Sequence, residues 1–590
     1  MDYALDRFEQ AVRDAIIATG KVPAGLVELT APKPNIPADL AFPAFRAAKE
    51  LKLPPQQLAQ ELADALQFAD DSLVGGVAAV GPFLNFTLRA SRLTAAVLNE
   101  IEQLGARYGQ DDRGAGKSVV IDYSSPNVAK RMHIGHIRST IIGQSLVNIY
   151  RFLGYQVIGD NHLGDWGKQF GVIILAIVRE GKPGGEGEQA LAALEDLYSK
   201  YSALADKDVE IDEAARGWSL KLEQGDPQAR ELWQWVVQLT LTTNQRLYDR
   251  LGVQFDTIHG ESFFEDKMDP VLADALARGV AIRDEKGALV VDLPGLPTFL
   301  LQRTDGGTLY HTRDAATIRY REEHYHPSAM IYVVDARQDL HFRQLFALAR
   351  ALGYAEGADL FHVAFGTIFD AKGEAFSTRK GNMIFLEALL NDAHARARAV
   401  VEQSSPGLPE QEKDEVAEIV GVGSVIYNDL YQDPRRNITL DWERMLALEG
   451  NSAPYIQYMY ARCRSILRRA AEQGLGVGGW GIGDASTPSP YPPAPIPQLL
   501  THPSEPAVIK QLAKLPAAVR EAGARYAPFV VAEWCYDTAR ALSGFYRDCP
   551  VLRADTPPDL RAARLRLVAA TAQALRNGLG LLGLRAPERM

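Results

Sequence analysis

Between Lys117 and Asp160 the chain writes a strand, a loop, a helix and a second strand in succession, and that order leaves few folds open. SVVIDY (118–123) is a short apolar run without polar alternation, as expected of a strand covered on both faces. IRSTIIGQSLVNIYRFLGY then repeats apolar residues at 137, 141, 142, 146 and 149, one face of a helix, and YQVIGD is the second strand. A strand, helix and strand within about 40 residues form a βαβ unit, with a right-handed crossover and a parallel sheet. AMIYVVD (329–335) and LFHVAFGTIF (360–369) flank the helical HFRQLFALARALG and supply the other half of a doubly wound, Rossmann-like sheet. Residues from about 172 to 285, helical and rich in charge, read as an insertion between the halves.

On this basis the chain divides into three domains: a small α+β domain over 1–112, the α/β domain over 113–390, and an all-α bundle over 391–590. The Pro- and Gly-rich stretch at 474–506 reads as a loop joining two helices of that bundle, because its prolines block a helix. The amino terminus places Asp2, Asp6, Glu9 and Asp14 within an amphipathic rhythm of Leu5, Phe8, Val12 and Ile16, unlike a signal peptide. The longest apolar run, Val172 to Val178, falls far short of the roughly 20 residues of a membrane span, so a cytoplasmic protein without a membrane partner is expected. Cys463, Cys535 and Cys549 have neither CxxC spacing nor nearby histidines; reduced, buried thiols are expected, with no structural zinc.

A net charge of −11 argues, by itself, against a nucleic-acid partner. Local charge decides more, because fields reach only about 8 to 10 Å at cellular salt. From Val551 onward seven arginines (553, 561, 564, 566, 576, 585 and 589) face Asp555, Asp559 and Glu588, an excess of four positive charges. YMYARCRSILRR (458–469) interleaves tyrosines with Arg462, Arg464, Arg468 and Arg469. This basic, aromatic face suits RNA, and equally a solvated helix surface.

The loop between the first strand and helix reads SSPNVAKRMHIGHIRST (124–140). In a doubly wound sheet the ligand crevice lies at the carboxyl ends of the strands, and a helix amino terminus there attracts phosphate. His133 and His136 share one face of the first turn, and Gly135 lets a flat base or a phosphate chain approach the backbone. Zinc would need HExxH spacing or a third ligand, and neither is present. Two histidines that merely cap the helix are the bland alternative.

The histidines do not stand alone. IDYSSPNVAKRMHIGHIRSTIIG, NHLGDWGKQFG, LGVQFDTIHGESFF, LYHTRDAA, AFSTRKGN and the terminal LGLRAPERM together resemble the arginyl-tRNA synthetase family. HIGH is shared with other class I synthetases and small nucleotidyltransferases; SSPN before it and DWGKQFG after it narrow the match. The resemblance implies an aminoacyl-tRNA ligase that activates L-arginine with ATP, accompanied by Mg2+, and transfers it to the terminal adenosine of tRNA(Arg), with activation dependent on bound tRNA and the enzyme a monomer. An inactive RNA-binding paralogue would be expected to lose the histidines or Gly135, and an adenylyltransferase for a small metabolite to lack the basic carboxyl-terminal domain.

By the family pattern His133, Gly135 and His136 hold ATP, with a second loop at Ala375 to Gly381 that includes Ser377, Thr378, Arg379 and Lys380. Ala375 and Thr378 stand where that loop usually carries lysines, so Lys130 is the implied substitute, with Arg379 and Lys380 as further cations. Arginine is implied to meet Asp122, Ser124 and Asn127 around the first loop, Tyr310 and Asp314 at its guanidinium, and Gln338. For tRNA, the pattern implies Phe83 and Asn85 at the elbow, and Tyr455, Tyr458, Arg462 and Met590 at the anticodon loop.

Overall fold

The computed structural model describes residues 1–376, 382–475 and 498–590. Four parallel strands form its central sheet: β1 (Ser118–Asp122), β2 (Gln156–Asp160), β3 (Ala329–Asp335) and β4 (Asp359–Phe365), in the order β4-β3-β1-β2. Helix α1 (Ile134–Phe152) joins β1 to β2, and α3 (Asp339–Ala351) joins β3 to β4; α2 (Tyr310–Tyr325) precedes β3. The chain order reverses between β1 and β3, so the switch-point crevice opens between the loop after β1 and the turn Ala336–Gln338 after β3.

The apolar run of 118–122 becomes a buried central strand, as its lack of alternation requires. α1 is buried along most of its length, wedged between the sheet and the carboxyl-terminal helices: Ser145 donates to the Leu581 carbonyl (2.9 Å) and Tyr150 to that of Gly523 (3.0 Å). One hydrophobic core therefore runs from β1 and β3 through α1 into the helices Phe529–Asp548 and Pro558–Leu581. The run 360–369 is not one strand. It breaks at Gly366, where a Cβ would lie 2.6 Å from Asn437 Oδ1 and 2.7 Å from the Arg436 carbonyl, and Ile368–Phe369 pairs instead with Ile438–Thr439.

In the inserted region the helices Lys168–Glu180, Gly187–Ala205, Val209–Glu223 and Pro227–Leu251 pack around their own core of Phe170, Ile173, Leu191, Leu194 and Val236, and Met268–Ala277 follows them. Beyond them lies an unexpected antiparallel sheet, Ala281–Arg283, Leu289–Val291 and Phe299–Gln302. Its strands span three or four residues each, too short for alternation to register. At the amino terminus, strands Leu40–Pro43, Val74–Val80 and Phe83–Leu88 form an antiparallel sheet packed on helix Ala4–Ala18, whose Phe8, Val12 and Ile16 are buried. The bundle is helical as expected, although helix Ser504–Ala513 begins inside the segment read as a loop; most of that loop, 476–497, lies outside the described residues. All three cysteines are buried and unpaired, and burial pushes the Cys463 thiol up to about 12 and Cys549 to about 11. No described helix is long and apolar enough to cross a membrane.

Candidate active site

The loop after β1 is held in an unusual backbone path. Ser124, Ser125 and Ala129 all have positive φ (70°, 48° and 64°), a region that costs ordinary residues about 1–2 kcal/mol each. Side chains from three elements impose it. The Ser124 amide donates to Ser139 Oγ (2.9 Å), the Ser125 amide to Asn161 Oδ1 (3.1 Å) and the Ala129 amide to Thr240 Oγ1 (3.1 Å).

This path delivers the two histidines. His133 caps α1: its Nδ1 accepts from the Gly135 amide (3.0 Å), while His136 Nδ1 accepts from the His133 amide (3.1 Å). With both Nδ1 atoms accepting, a neutral ring carries its proton on Nε2. Both rings are neutral, because burial lowers both pKa values, that of His136 to about 3, and the nearby Lys130 charge acts in the same direction. Two Nε2–H donors thus stand on rings 4.0 Å apart. Gly135 is explained locally, since a Cβ there would lie 2.9 Å from the His133 ring.

One expectation is corrected here. The first amides of α1 are not free for a phosphate: Ile134 donates to the Ile384 carbonyl (2.9 Å), Gly135 to His133 Nδ1 and His136 to the His133 carbonyl (2.8 Å). The imidazoles, not the helix amides, present the donors. The Ile134 bond and that from the Leu386 amide to the Met132 carbonyl (2.9 Å) also tie this loop to the chain just after the second loop. Ser377, Thr378, Arg379 and Lys380 themselves lie outside the described residues.

Lys130 is half-buried, 6.0 Å from the Tyr198 ring centroid, and makes no ion pair among the described residues. Arg131 beside it is committed, donating to Glu195 (2.8 Å) and lying over Phe385 (3.6 Å). Among the described residues Lys130 is therefore the cation of this loop without a carboxylate partner.

The other end of the crevice is rich in carboxylates that already have partners. Asp122 and Asp160, side by side at the strand ends, both accept from Nη2 of the buried Arg321 (2.7 Å each), and Asp122 also accepts from Ser125 (3.1 Å). Asp122 thus binds a guanidinium of the chain itself. Asp314 accepts from His341 (2.6 Å); burial would raise its carboxyl, but the histidine outweighs it and holds it below the usual value. Glu261 pairs with Arg313 (2.8 Å), yet burial keeps its carboxyl raised, and Asp314 adds to that. Glu261 lies in HGESFF, far from Asp314 in the chain, and only the fold brings the two carboxylates together. Tyr310 opens α2 with 67 % exposure, Asn127 is exposed beside Gly164, and Gln338 is exposed in the turn after β3. Ser124 is buried, its hydroxyl shared with Tyr248 and Thr140 (2.9 Å each).

Among the residues expected to meet RNA, Tyr458, Arg462 and Met590 line one groove with Arg468, Arg469, Tyr546 and Arg589. Tyr455 is set apart, its hydroxyl donating to the Ala539 carbonyl (3.4 Å). Asn85 is also withdrawn: it is buried, its amide donating to the Phe83 carbonyl, whereas Phe83 is half-buried beside the exposed Phe45, edge-on at 5.5 Å, and Lys33 at 4.6 Å. The basic excess after Val551 is largely consumed inside the protein, with Arg564 on Glu505, Arg566 on Glu102, Arg589 on Glu412 and Arg561 on backbone carbonyls. Arg462 and Arg469 make no ion pair among the described residues, and Arg462 lies 4.8 Å from the Tyr546 ring.

Comparisons with known proteins converge on one family. The family model for the catalytic domain of class I (R) tRNA synthetases matches residues 98–442, that for the DALR anticodon-binding domain 456–590, and that for the arginyl-tRNA synthetase amino-terminal domain 6–88. The arginine–tRNA ligase of Chloroflexus aggregans is 60% identical over 590 residues, all of both chains, and that of Lactococcus lactis 39% identical over 95% of each. The Thermus thermophilus arginyl-tRNA synthetase structure superposes with a TM-score of 0.77 at 27% identity, covering 98% of this chain and all of that one. With its catalytic, anticodon-binding and amino-terminal regions all matched, the chain belongs to the arginyl-tRNA synthetase family.

Proposed function

We propose that the crevice joins L-arginine to ATP and then to tRNA(Arg), with the histidine pair and Lys130 at the phosphates and the paired carboxylates at the amino acid. The reaction asks for positioning and for relief of spreading negative charge. A carboxylate oxygen of arginine attacks the α-phosphorus, the bond to the β-phosphate bridging oxygen breaks, and pyrophosphate leaves. The terminal ribose hydroxyl of tRNA then attacks the carbonyl carbon, and AMP leaves. ATP would enter as its Mg2+ complex, the ion offsetting charge on the leaving pyrophosphate.

The observation that carries this reading is the pair of neutral imidazoles whose Nδ1 atoms are occupied and whose Nε2–H groups have no hydrogen-bond partner among the described residues. Neutral donors bind a triphosphate without a proton equilibrium near neutral pH. Lys130 supplies the fixed charge, a role shared in this reading with Arg379 and Lys380. Glu261 and Asp314, with Tyr310 at the rim, take the guanidinium; Asn127 and Gln338 take the α-amino and carboxylate end. Asp122 and Ser124 act behind them, fixing the loop.

The groove of Tyr458, Arg462 and Met590 takes the anticodon loop, and Phe83 with Phe45 and Lys33 the tRNA elbow. The division into 1–112, 113–390 and 391–590 and a cytoplasmic monomer belong to the same reading. ATP–pyrophosphate exchange with arginine tests it. Exchange that requires arginine and tRNA is expected; no exchange under either condition would sink it, and exchange without tRNA would remove the coupling alone.

A further inference from the structure

Arg138 lies two residues beyond His136 on α1, and it is 1 % exposed. All three of its guanidinium nitrogens donate. Nε reaches both oxygens of Asp429 (3.1 and 3.0 Å), Nη2 reaches Asp429 Oδ1 (2.9 Å) and the Pro434 carbonyl (3.0 Å), and Nη1 reaches the Arg436 carbonyl (2.9 Å). Asp429 is itself 2 % exposed, in the last turn of helix Glu410–Leu430. A carboxylate buried at a helix carboxyl terminus is poorly placed by the helix dipole and by desolvation, so stability is a weak reason for it.

What the guanidinium grips points to position instead. The Pro434 carbonyl that accepts from Arg138 also accepts from the Gly366 amide (3.0 Å). Asn437 Oδ1 accepts from the Thr367 amide (2.9 Å), the Ile438 amide donates to the Thr367 carbonyl (3.1 Å), and the Leu440 amide to that of Phe369 (2.9 Å). Residues 434–440 therefore clasp 366–369, the stem through which β4 runs on toward the second loop. The missing Cβ of Gly366 lets this clasp close. The Arg138 guanidinium also lies 5.6 Å from the ring of Phe365, the last residue of β4. One side chain thus joins the helix that carries the histidine pair, the stem of the second loop and the helical domain.

We propose that Arg138 is a positioning residue for adenylate formation: through Asp429 and the carbonyls of Pro434 and Arg436 it holds the histidine pair in fixed relation to the stem of the second loop. ATP has to be gripped from both sides at once, and a misplacement of about 1 Å can cost about 10²-fold in rate. A lysine at 138 would keep the charge beside Asp429 but could not reach two carbonyls and a carboxylate together. The inference rests on the histidine-pair reading of the ATP site.

The test compares R138K with R564K in the full-length chain. Arg564 also donates to a buried carboxylate, Glu505 (2.8 Å), and to the Pro550 carbonyl (2.9 Å), but within the helical domain and away from both loops. ATP–pyrophosphate exchange with tRNA present, circular dichroism melting and tRNA binding are measured for both. R138K is expected to lower kcat about 30- to 100-fold with KM for arginine and tRNA affinity within about twofold of wild type, and R138K/D429E to recover part of the loss. R564K is expected to keep wild-type kcat even where its melting temperature falls as far. An R138K enzyme with wild-type kcat would overturn the proposal, and so would an equal loss in R564K, which would make the effect one of stability. Absence of exchange in the wild-type chain would instead fail the underlying reading.

Discussion

The two ends of the crevice solve opposite electrostatic problems. At the phosphate end the polar groups that matter are donors left over after the loop has used their neighbours: two Nε2–H groups on neutral rings and the ammonium of Lys130. At the arginine end they are acceptors already compensated: Asp122 and Asp160 share Arg321, Glu261 has Arg313, and Asp314 has His341. In the proposed assignment the difference follows from what each end would receive. ATP brings its own charge and needs donors without competing anions nearby, whereas several bare carboxylates held together for an absent guanidinium would repel one another and lose their charge. Each carboxylate at that end therefore keeps a hydrogen-bonded or ionic partner from the chain itself.

Removing a donor at the phosphate end should therefore be the most damaging change. His136→Asn keeps an oxygen near the Nδ1 position to accept from the His133 amide, but has nothing in place of the Nε2–H donor. A fall of about 10²–10³-fold in kcat for exchange is expected, with a native circular dichroism spectrum. Lys130→Ala comes next, at about 10- to 100-fold, the worth of one charge-assisted hydrogen bond, felt in KM for ATP and in kcat but not in KM for arginine. Near-wild-type exchange in that variant would assign the charge to Arg379 or Lys380. Asp314→Asn should reverse the pattern, raising KM for arginine about tenfold while KM for ATP stays put. If it changed both equally, the two ends would not be separable as described.

How much of this contrast could be read beforehand follows the length scale of each interaction. The phosphate end is local: β1, its loop and the first turn of α1 are contiguous, so HIGH, Lys130 and the strand–helix order were visible together, down to which face the histidines share. What the residues could not show is that the helix amides are spent on those same histidines and on Ile384, some 250 residues away in the chain. The arginine end is assembled from β1, β2, the region after Phe255, α2 and α3. Asp122 reads as a substrate ligand in isolation because Arg321 lies 199 residues away. Asn85 shows the same limit, since pairing with two strands, not composition, buries it. The sheet at 281–302 was not legible because strands of three or four residues are too short for alternation to register.

The neutrality of the histidines gives a contrast in pH. The His136 pKa falls from an ordinary 6.5 to about 3, so as pH drops below 6.5 the unfolded chain takes up a proton that the folded chain refuses. Stability contributed at neutral pH is lost progressively between pH 6.5 and about 3, at up to about 1.4 kcal/mol per unit from this group. Denaturant midpoints measured at pH 7 and 5 should fall less in His136→Asn than in wild type. The His136 contribution to KM for ATP should stay flat from pH 8 to 6, because that ring does not charge there; a steep change across that range that disappears in His136→Asn would mean that a protonated imidazole does the binding.

The smallest effect is expected far from the crevice, where the contrast between spent and unspent charge recurs on one helix. Arg464 and Arg468 are occupied by the terminal segment, Arg464 donating to the Glu588 carboxylate (2.6 Å) and Arg468 to its carbonyl (2.7 Å), while Arg462 faces the groove over Tyr546. An arginine that neutralises a phosphate displaces a condensed counterion, so Arg462→Ala should flatten the dependence of log affinity on log salt by about 1 and weaken tRNA binding severalfold at low salt. Arg464→Ala should leave that slope alone and act only by loosening residues 588–590. Filter binding of tRNA across a salt series separates the two, and equal slopes in both variants would show that Arg462, too, is spent within the protein.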